Sequence, residues 1–519
     1  MTLLDQETAQ APRPSGGPAP ARRVSRLRER WAARPAPDGV ATTLLVLALA
    51  SGTALRFLGL GAVGLNSDEA VYAAQAASLA GNEHFTPLFP VVRAHPLLLQ
   101  TLISPLYAHG VPDTAGRYAT AAFGVGTVVL TYLLGRVLYH PRVGALGALL
   151  LAVMPYHVVI SRQIILDGPM AFFLTGALLC LAVGARRRDG RWLVATGAAL
   201  GLAVLSKEPA VIMLGSCFAF LALTTRVTRP LRYPFVGAGV ALGLTITYPL
   251  LTAIAGGGHG GASYLIWQLS RAPNHTFSFY LITVGVAMGV GTLLLAAGGL
   301  VAFHPMLGWR ETLLLSWLAV PLAYFEIWPT KGFTYLTALA PVVALLAAVA
   351  VFRLGWRGGP RRLAAVVLAA GCVVSLLVPA VLGIVRPTTS GLAGAGGLPG
   401  GREAGQWIAT HSPERSQFIT IGPSMANLVQ FYGGRRADGL SVSPNPLHRN
   451  PTYSPIRNAD LALRDGTYQY IVWDTYSAHR SQHFSDRAMD LVDRFHGLKV
   501  HEEKDGDGNP LIVIYEVTP

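Results

Sequence analysis

Long apolar stretches separated by short polar connections dominate the first three quarters of this 519-residue chain. About 20 consecutive apolar residues are enough for a helix to cross a bilayer. Eleven stretches approach that length, so the pattern predicts about eleven transmembrane helices. They lie near residues 41–60, 115–138, 143–161, 165–184, 192–206, 209–224, 235–254, 279–302, 311–328, 333–352 and 363–385.

The two ends of the chain follow other patterns. Residues 1–38 are rich in Pro, Ala and Arg and lack an apolar period, which predicts a disordered tail. Beyond the glycine-rich residues 391–401, short strand-like runs alternate with helical patterns, which predicts a small α/β domain over 389–519. The runs lie at 418–421, 470–473 and 511–517, and the helical patterns near 402–410, 424–432 and 486–496. Residues 39–388 remain as the transmembrane domain.

The composition supports a membrane protein. Hydrophobic residues make up 52% of the chain and charged residues 13%, whereas a soluble domain carries about 25% charged residues. The net charge is +14. Its excess falls between the apolar stretches, where 22 basic residues face nine acidic ones over 41–388. A charge distribution of this kind sets membrane topology, and no nucleic-acid partner is expected.

The basic residues also predict an orientation. If the N-terminus is cytoplasmic, 21 basic residues fall on the inner side, and eight fall on the outer side of the membrane region. Cytoplasmic loops carry such an excess of Lys and Arg. We therefore expect a multi-pass cell-membrane protein with a cytoplasmic tail. Because eleven is an odd number of spans, residues 389–519 are expected outside the cytoplasm.

Acidic residues of the membrane region gather on one side. With this orientation, seven of the nine lie at outer span ends or in outer loops: Asp68, Glu69, Glu83, Asp113, Asp167, Glu208 and Glu326. A charge within the bilayer is costly and usually lines a polar cavity. The pattern predicts a reaction or binding cavity on the outer face, where nearby basic groups could neutralise a lipid phosphate.

The first outer loop, about 61–114, contains the run Asn66-Ser67-Asp68-Glu69. One interpretation is structural: Asn66 caps a helix that continues to about Leu79 in the membrane interface, and Glu69 closes a capping box. The other is functional, with a carboxylate at the membrane surface acting as a general base. Adjacent helical residues diverge by about 100°, so only one of the two acids can point at a given substrate atom.

These segments together resemble polyprenyl-phosphate-sugar-dependent glycosyltransferases of the GT-C fold, family 39, which include protein O-mannosyltransferases and the lipid A aminoarabinose transferase. The resemblance covers about residues 41–350. Its most specific element is Asp68-Glu69. Further elements are Arg162…Asp167 followed by Phe172 and Phe173, His95-Pro96-Leu97 (one proline fewer than the family segment), Gly201…Ser206-Lys207, and Lys331…Tyr335…Pro341.

The resemblance implies an inverting glycosyltransferase. The donor would be a polyprenyl-phosphate-linked sugar, and the acceptor a hydroxyl of a protein, glycan or lipid on the outer face. Asp68 would act as base, and Glu69 and Asp167 would complete the catalytic group. Donor-phosphate contacts are expected from Arg93, His95, Arg117, Arg162, Lys207, Lys331 and Tyr335. No cofactor or metal is expected, because the resemblance is closer to metal-independent members; a metal bridged by Asp68, Glu69 and Asp167 is the alternative.

Two other functional classes fit part of the pattern. A transporter or flippase of lipid-linked sugar would use similar outer charges, but it should also carry polar residues at mid-membrane depth and on the inner side. The inner charges here are almost all basic, which favours the enzyme. A non-catalytic scaffold that presents the outer domain would tolerate the substitution Asp68→Asn.

Overall fold

The computed structural model describes residues 38–91, 95–224, 232–254, 260–301, 308–355, 359–387, 392 and 394–518. The predicted tail, residues 1–38, lies outside this description except for Asp38. The first half of the membrane part contains α1 (Gly39–Phe57), α2 (Ser67–Leu79), α3 (Leu98–Ile103), α4 (Ala115–Leu138), α5 (Pro141–Val153), α6 (Pro155–Ser161), α7 (Asp167–Arg187) and α8 (Trp192–Ser206). The second half contains α9 (Met213–Leu223), α10 (Arg232–Ile254), α11 (Gly260–Ser270), α12 (Gly285–Met288), α13 (Val290–Val301), α14 (Trp309–Ile327), α15 (Ala340–Gly355) and α16 (Gly359–Val385).

Each of the eleven apolar stretches overlaps at least one helix within the described ranges. Within the described ranges, six helices are long and apolar enough to cross a membrane, and eight if each of two bent pairs counts as one span. The pairs bend by 64° between α5 and α6 and by 97° before α13. Pro155 begins α6, where proline needs no helical N–H partner. Gly289 has φ 88° at the sharper bend, a conformation that favours glycine. The protein is therefore a polytopic helical membrane protein; the count of eleven spans stays a prediction.

A mixed α/β unit follows the membrane part. Its elements are α17 (Gly401–His411), β1 (Gln417–Thr420), α18 (Pro423–Gly433), β2 (Arg436–Gly439), α19 (Ala459–Arg464), β3 (Tyr470–Asp474), α20 (Thr475–Arg480), α21 (Gln482–Arg494), β4 (Leu498–Lys504) and β5 (Pro510–Glu516). The sheet order is β2-β1-β3-β5-β4. The first three strands are parallel, whereas β5 pairs antiparallel with both β3 and β4. The predicted small α/β domain is thus confirmed.

The three predicted strands and three predicted helices of this unit are present, with ends that differ by a few residues. Two further strands, β2 and β4, were not predicted. Their sequences, Arg-Ala-Asp-Gly and Leu-Lys-Val-His-Glu-Glu-Lys, carry many charges. Both lie at the edges of the sheet, where charged side chains remain in water and discourage pairing with other chains. An edge strand therefore lacks the apolar run that marks a central strand.

The helix of the first loop, α2, is the surface on which the C-terminal unit packs. One continuous apolar cluster joins Ala70 and Ala73 of α2 to Leu428 and Phe431 of α18. An alanine-rich face leaves little side chain between the two backbones, so the elements approach closely. The predicted helix from Asn66 to Leu79 is confirmed, but it is packed between two parts of the protein.

Polar contacts beside this cluster fix the orientation of the C-terminal unit. Asp113 of the first loop accepts hydrogen bonds from Arg402 Nη2 at 2.6 Å and Tyr432 Oη at 3.0 Å. The same tyrosine oxygen accepts a hydrogen bond from the backbone N–H of Leu65 at 2.9 Å. Arg402 also donates to the carbonyl of Val63 at 2.7 Å. The residues just before α2 are therefore tied to the C-terminal unit.

A buried ion pair holds the start of α2 from the membrane side. Arg117 of α4 donates from Nε and Nη2 to the two carboxylate oxygens of Glu69, at 2.7 and 2.6 Å. Its other three N–H groups reach the carbonyls of Leu60, Val63 and Gly64 at 2.7–2.9 Å. All five guanidinium donors are thereby used. Both side chains are at most 4% exposed, so the pair fixes the loop in a dry environment.

The predicted capping box is also present. Asn66 Oδ1 accepts from the backbone N–H groups of Asp68 and Glu69, each at 3.0 Å. Glu69 Oε2 accepts from the backbone N–H of Asn66 at 3.1 Å, and its Oε1 accepts from that of Ile164 at 2.9 Å. Glu69 therefore completes the cap, pairs with Arg117 and anchors the turn before α7.

Replacing Arg117 should destabilise the protein strongly. Arg117→Met leaves Glu69 buried without a counter-ion and removes the donor that serves the carbonyls of Leu60 and Gly64, and breaking a buried pair in this way costs about 3–5 kcal/mol. Arg142→Met is the matched control, because it breaks a pair with Asp38 (2.7 Å) that involves a half-exposed guanidinium; surface pairs contribute little. Thermal unfolding of the purified protein measures both, and equal effects would contradict the assignment.

The C-terminal unit should show a pH-dependent stability that depends on Asp474. This residue caps α20 through the backbone N–H of Ser477 at 2.7 Å, but burial raises the pKa of its carboxyl to about 6. The native state thus holds the proton more tightly than the unfolded chain. The resulting stabilisation is complete below about pH 4 and is lost as the pH rises through about 6.

Asp474→Asn keeps a capping oxygen without a titrating charge. We expect it to make the unit more stable than wild type at pH 8, by up to about 3 kcal/mol for a shift of roughly two pKa units, and nearly equal at pH 4. Hydrogen exchange of β1 and β3 at both pH values measures this. Asp490→Asn, at a side chain that is 72% exposed, is the control. The raised pKa of Asp474 would be contradicted if the wild-type unit became more stable, relative to Asp474→Asn, between pH 5 and pH 8.

Candidate active site

Asp68 is the carboxylate of the first loop that remains available for chemistry. It is the second residue of α2, and its exposed side chain accepts no hydrogen bond from the residues that the structure describes. Solvent reaches this side chain, but the protein that surrounds it on the other sides removes part of its hydration, and this desolvation raises the pKa of the carboxyl. The charges of Lys207 and His95 oppose this increase, and those of Asp167 and Glu69 add to it. Asp68 therefore lies within electrostatic reach of four of the predicted site residues.

A second acid and a lysine form an ion pair beside Asp68. Lys207 follows the end of α8, and its ammonium donates to both carboxylate oxygens of Asp167, at 2.9 and 2.7 Å. The two side chains are 13% and 4% exposed. The ammonium also lies 5.4 Å from the centre of the Tyr335 ring. A lysine has three N–H donors, so one remains for a further acceptor.

His95 forms a second pair on the other side of Asp68. Its Nδ1 lies 3.0 Å from Glu208 Oε2, and its ring packs edge-on against Tyr264 with centroids 4.8 Å apart. The ring of Tyr72, one helical turn after Asp68, also lies near His95, with the two ring centroids 6.3 Å apart. The Nε2 atom of His95 has no hydrogen-bond partner within the described ranges. The carboxylate orients the imidazole, which leaves that nitrogen for a ligand.

An apolar cavity opens next to the Asp167–Lys207 pair. Side chains of α7, α9, α14 and the segment before α15 enclose it. Its lining residues are Asp167, Met170, Leu174, Lys207, Pro209, Ala210, Met213, Pro321, Phe325, Tyr335, Ala338 and Leu339. The ion pair and the tyrosine provide the polar groups of an otherwise hydrocarbon surface. The cavity has a volume of about 10 Å³, which is room for about one water molecule.

The remaining predicted residues lie away from Asp68 or are engaged by protein groups. Arg117 has no free donor, since Glu69 and three carbonyls use all five. Arg162 donates to the carbonyls of Leu55 and Leu58 at 2.8 and 2.7 Å, at the end of α1. Lys331 donates to Glu326 Oε1 at 3.0 Å and is 6% exposed. Arg93 lies outside the described residues.

Some residues around Asp68 were not assigned from the sequence. Glu208 was recognised only as one of several outer acids, and Tyr264 was given no role. Asn427 of the C-terminal unit donates to Ser67 Oγ at 2.9 Å, immediately before Asp68, although 360 positions separate the two residues. Only the spacing of acidic and aromatic residues could have indicated that Glu208 and Tyr264 belong to the site. No local sequence signal indicates Asn427.

The carboxylates predicted as an alternative metal set do not converge. Across the described ranges, no three His, Cys, Asp or Glu side chains come together in a group that could hold a metal ion. Glu69 points into its pair with Arg117, and Asp167 points to Lys207. These residues therefore serve to position charges of opposite sign.

Part of the chain is similar in sequence to proteins of known family. Residues 94–252 match the family model described as dolichyl-phosphate-mannose-protein mannosyltransferase. This segment includes His95, Asp167 and Lys207. Over 111 residues the chain is 38% identical to dolichyl-phosphate-mannose–protein mannosyltransferase 1 of Candida albicans. The aligned part is 20% of this chain and 13% of that relative, so the chain spans only a small part of its length.

The solved structures extend the similarity to almost the whole chain. The structure of ArnT from Cupriavidus metallidurans in the apo state matches with a TM-score of 0.68 and 18% identity, over 92% of this chain and 98% of that one. The same protein bound to undecaprenyl phosphate matches with a TM-score of 0.67 and 18% identity, over 91% and 98%. At this identity the match shows a shared fold. Residues 94–252 thus resemble dolichyl-phosphate-mannose-protein mannosyltransferases in sequence, and the chain as a whole shares the fold of ArnT.

Proposed function

We propose that this protein transfers a sugar from a polyprenyl-phosphate-linked donor to a hydroxyl acceptor, with inversion at the anomeric carbon. The observation that carries the proposal is the unengaged carboxylate of Asp68 next to two ion pairs and an apolar cavity. A carboxylate can take the proton of a hydroxyl acceptor. A cation can stabilise a phosphate leaving group, and a hydrocarbon surface can contact a lipid tail.

Asp68 acts as the general base. Its neighbour Glu69 is bound to Arg117 on both oxygens, so it cannot accept a proton from substrate without breaking a buried pair. Asp68 accepts no such bond from the described residues and is exposed. It removes the acceptor proton while the acceptor oxygen attacks the anomeric carbon from the face opposite the phosphate. A single base suffices, because the phosphate leaves as a stable anion.

Lys207 and His95 hold the donor phosphate. The lysine has one donor left after its two bonds to Asp167, and the imidazole, when both of its nitrogens carry protons, donates from Nε2. Cations held in place before the reaction stabilise the charge that develops on the leaving phosphate. The apolar side chains beside Lys207 face the first part of the prenyl chain. The undecaprenyl phosphate bound to ArnT, the protein of similar fold, supports this donor class.

Arg117, Arg162 and Lys331 shape the site in this proposal and make no phosphate contact. Each is held by carboxylate or carbonyl oxygens of the protein. Their charges still raise the positive potential around the donor. Arg93 remains a predicted phosphate contact from its position two residues before His95.

The membrane orientation follows from the charges. We propose eleven spans across 39–388, a cytoplasmic tail and a C-terminal domain, 389–519, outside the cytoplasm. The site residues then lie at the outer ends of their helices. The inner loops carry the larger share of Arg and Lys, as cytoplasmic loops do. The acceptor is accordingly expected in the extracytoplasmic space.

The first test compares wild type with Asp68→Asn in liposomes that contain radiolabelled decaprenyl- or undecaprenyl-phosphate sugars. Loss of a general base lowers rates by about 10²–10⁴-fold, so transfer to acceptor should nearly disappear. Glu83→Gln, which removes an exposed acid of the same loop, should retain full transfer. Movement of intact donor across the bilayer, equally in all three proteins, would indicate a flippase and overturn the proposal.

The pH profile provides a second readout of the same residue. Because desolvation raises the pKa of Asp68, its base form should be lost at a higher pH than for an ordinary aspartate. We expect the acidic limb of kcat/KM to lie above pH 4 and to move further upward with Lys207→Met, which removes an opposing positive charge. An acidic limb at or below the ordinary aspartate range would contradict the base assignment.

A double substitution distinguishes the structural role of Lys207 from its proposed role in phosphate binding. Lys207→Met alone leaves Asp167 buried without its counter-ion, so both stability and transfer should fall. Asp167→Asn combined with Lys207→Met removes both charges and should restore most of the unfolding temperature, while transfer stays at least tenfold below wild type. Recovery of full transfer in the double variant would show that Lys207 is structural only.

A further inference from the structure

A groove runs between the first loop and the C-terminal unit. It encloses about 550 Å³, a size typical of ligand sites. Pro87, Leu88 and Pro90 form one wall, and residues of α18, β2 and the following loop form the other, among them Gln430, Asp438 and Tyr453. None of these residues belongs to the catalytic group proposed above.

The edge of the sheet forms part of the second wall. Strand β2 lies at this edge, next to β1. All four residues of β2, from Arg436 to Gly439, line the groove, as does Pro423 at the start of α18. The groove therefore combines the backbone of an edge strand with the first turn of a helix.

One side chain connects the groove with the proposed base. The amide of Asn427 donates to Tyr453 Oη, which lines the groove, and to Ser67 Oγ, both at 2.9 Å. Ser67 immediately precedes Asp68. The side chain of Asn427 is buried, and its Oδ1 atom accepts no hydrogen bond from the described residues. Two hydrogen bonds through Asn427 thus connect the groove wall at Tyr453 with the residue that precedes Asp68.

The charge of the lining indicates the kind of ligand. Among the residues that the structure describes, the lining contains one basic residue, Arg436, and one acidic residue, Asp438. Arg436 Nε lies 3.5 Å from Asp438 Oδ2. Their charges cancel, so the groove lacks the excess of cations that a phosphorylated or carboxylated ligand needs. Asp438 Oδ2 also accepts from Tyr468 at 2.9 Å, whereas Oδ1 has no partner within the described ranges.

The remaining lining combines rigid apolar surfaces with amide and hydroxyl groups. Proline rings and Leu88 offer flat hydrocarbon faces, and Tyr453 adds an aromatic ring. Gln430, which is 9% exposed, donates to the carbonyl of Ala437 at 3.1 Å and presents its amide from the groove wall. A sugar ring has apolar C–H faces and equatorial hydroxyls, and it complements such a surface without carrying charge.

We propose that this groove binds the neutral carbohydrate part of the acceptor and aligns its hydroxyl with Asp68. The inference rests on the proposed function, because it identifies the acceptor class of the same site. The donor enters from the membrane beside Lys207, and the acceptor glycan enters from the aqueous side along the C-terminal unit. The two substrates meet at the start of α2.

Binding is tested first without any donor. α-1,6-Linked mannohexaose and maltohexaose are titrated into the full chain in nanodiscs by calorimetry and ligand-observed NMR. Ser454→Trp adds an indole at an exposed residue of the groove wall, and Pro87→Trp does the same from the opposite wall. We expect at least one hexasaccharide to bind wild type and to bind each variant at least tenfold more weakly.

Two controls separate the groove from other effects. Gln406→Trp adds the same indole on an exposed position of α17 and should leave binding unchanged. Asp68→Asn should also bind normally, since the base does not form the groove. Absence of hexasaccharide binding to wild type, or equal binding by both groove variants, would overturn the proposal. It would also be overturned if a serine- and threonine-rich hexapeptide bound instead and Ser454→Trp abolished that binding.

Transfer kinetics then distinguish this inference from the proposed function. With the bound hexasaccharide as acceptor and labelled donor, Ser454→Trp should raise the acceptor KM at least tenfold and leave the donor KM unchanged. Full transfer by Asp68→Asn would refute the proposed base while the binding result still stood. An unchanged acceptor KM in Ser454→Trp, with transfer abolished by Asp68→Asn, would refute the groove alone.

Discussion

The buried pair between Glu69 and Arg117 is the interaction on which the site depends. It joins the start of α2 to α4 in a region with almost no solvent, where an unpaired charge would be very unfavourable. Because the guanidinium also binds three consecutive parts of the loop, the path of the chain before α2 has little freedom. Together with the packing of α2 on α18, this contact sets the direction of α2 and therefore the position of Asp68.

Other charged side chains around the site are likewise engaged by groups of the protein. Asp68, which is exposed and engaged by none of the described residues, is the one proposed to carry the chemistry. Asp167 has Lys207, Glu326 has Lys331, and the guanidinium of Arg162 has backbone carbonyls. A protein that neutralises its buried charges so thoroughly leaves Asp68 as an acid with solvent on one side and charged neighbours on the other. Such an environment keeps the group reactive while the scaffold around it stays rigid.

The sequence predicted those features whose cause lies within a few residues. The apolar stretches became helices, and Asn66 with Glu69 formed the expected capping box, because both depend on local spacing. The strands with apolar runs were found, whereas β2 and β4 were missed because edge strands remain charged. The roles of Arg117 and Arg162 were beyond the sequence: a basic residue at a span end can bind phosphate or protein carbonyls equally well, and only the fold decides. Asn427 lies too far along the chain from Ser67 for any local pattern to connect them.

The contacts of Asp113 with Tyr432 and Arg402 have a consequence for how such proteins diverge. They tie a loop of the membrane part to a domain that begins almost 300 positions later, and that domain in turn supports the helix that carries Asp68. The C-terminal unit is therefore not a detachable module. A chimera that exchanged it with the equivalent unit of a relative would have to bring a matching first loop, so the two segments should be inherited together even where the helices between them drift.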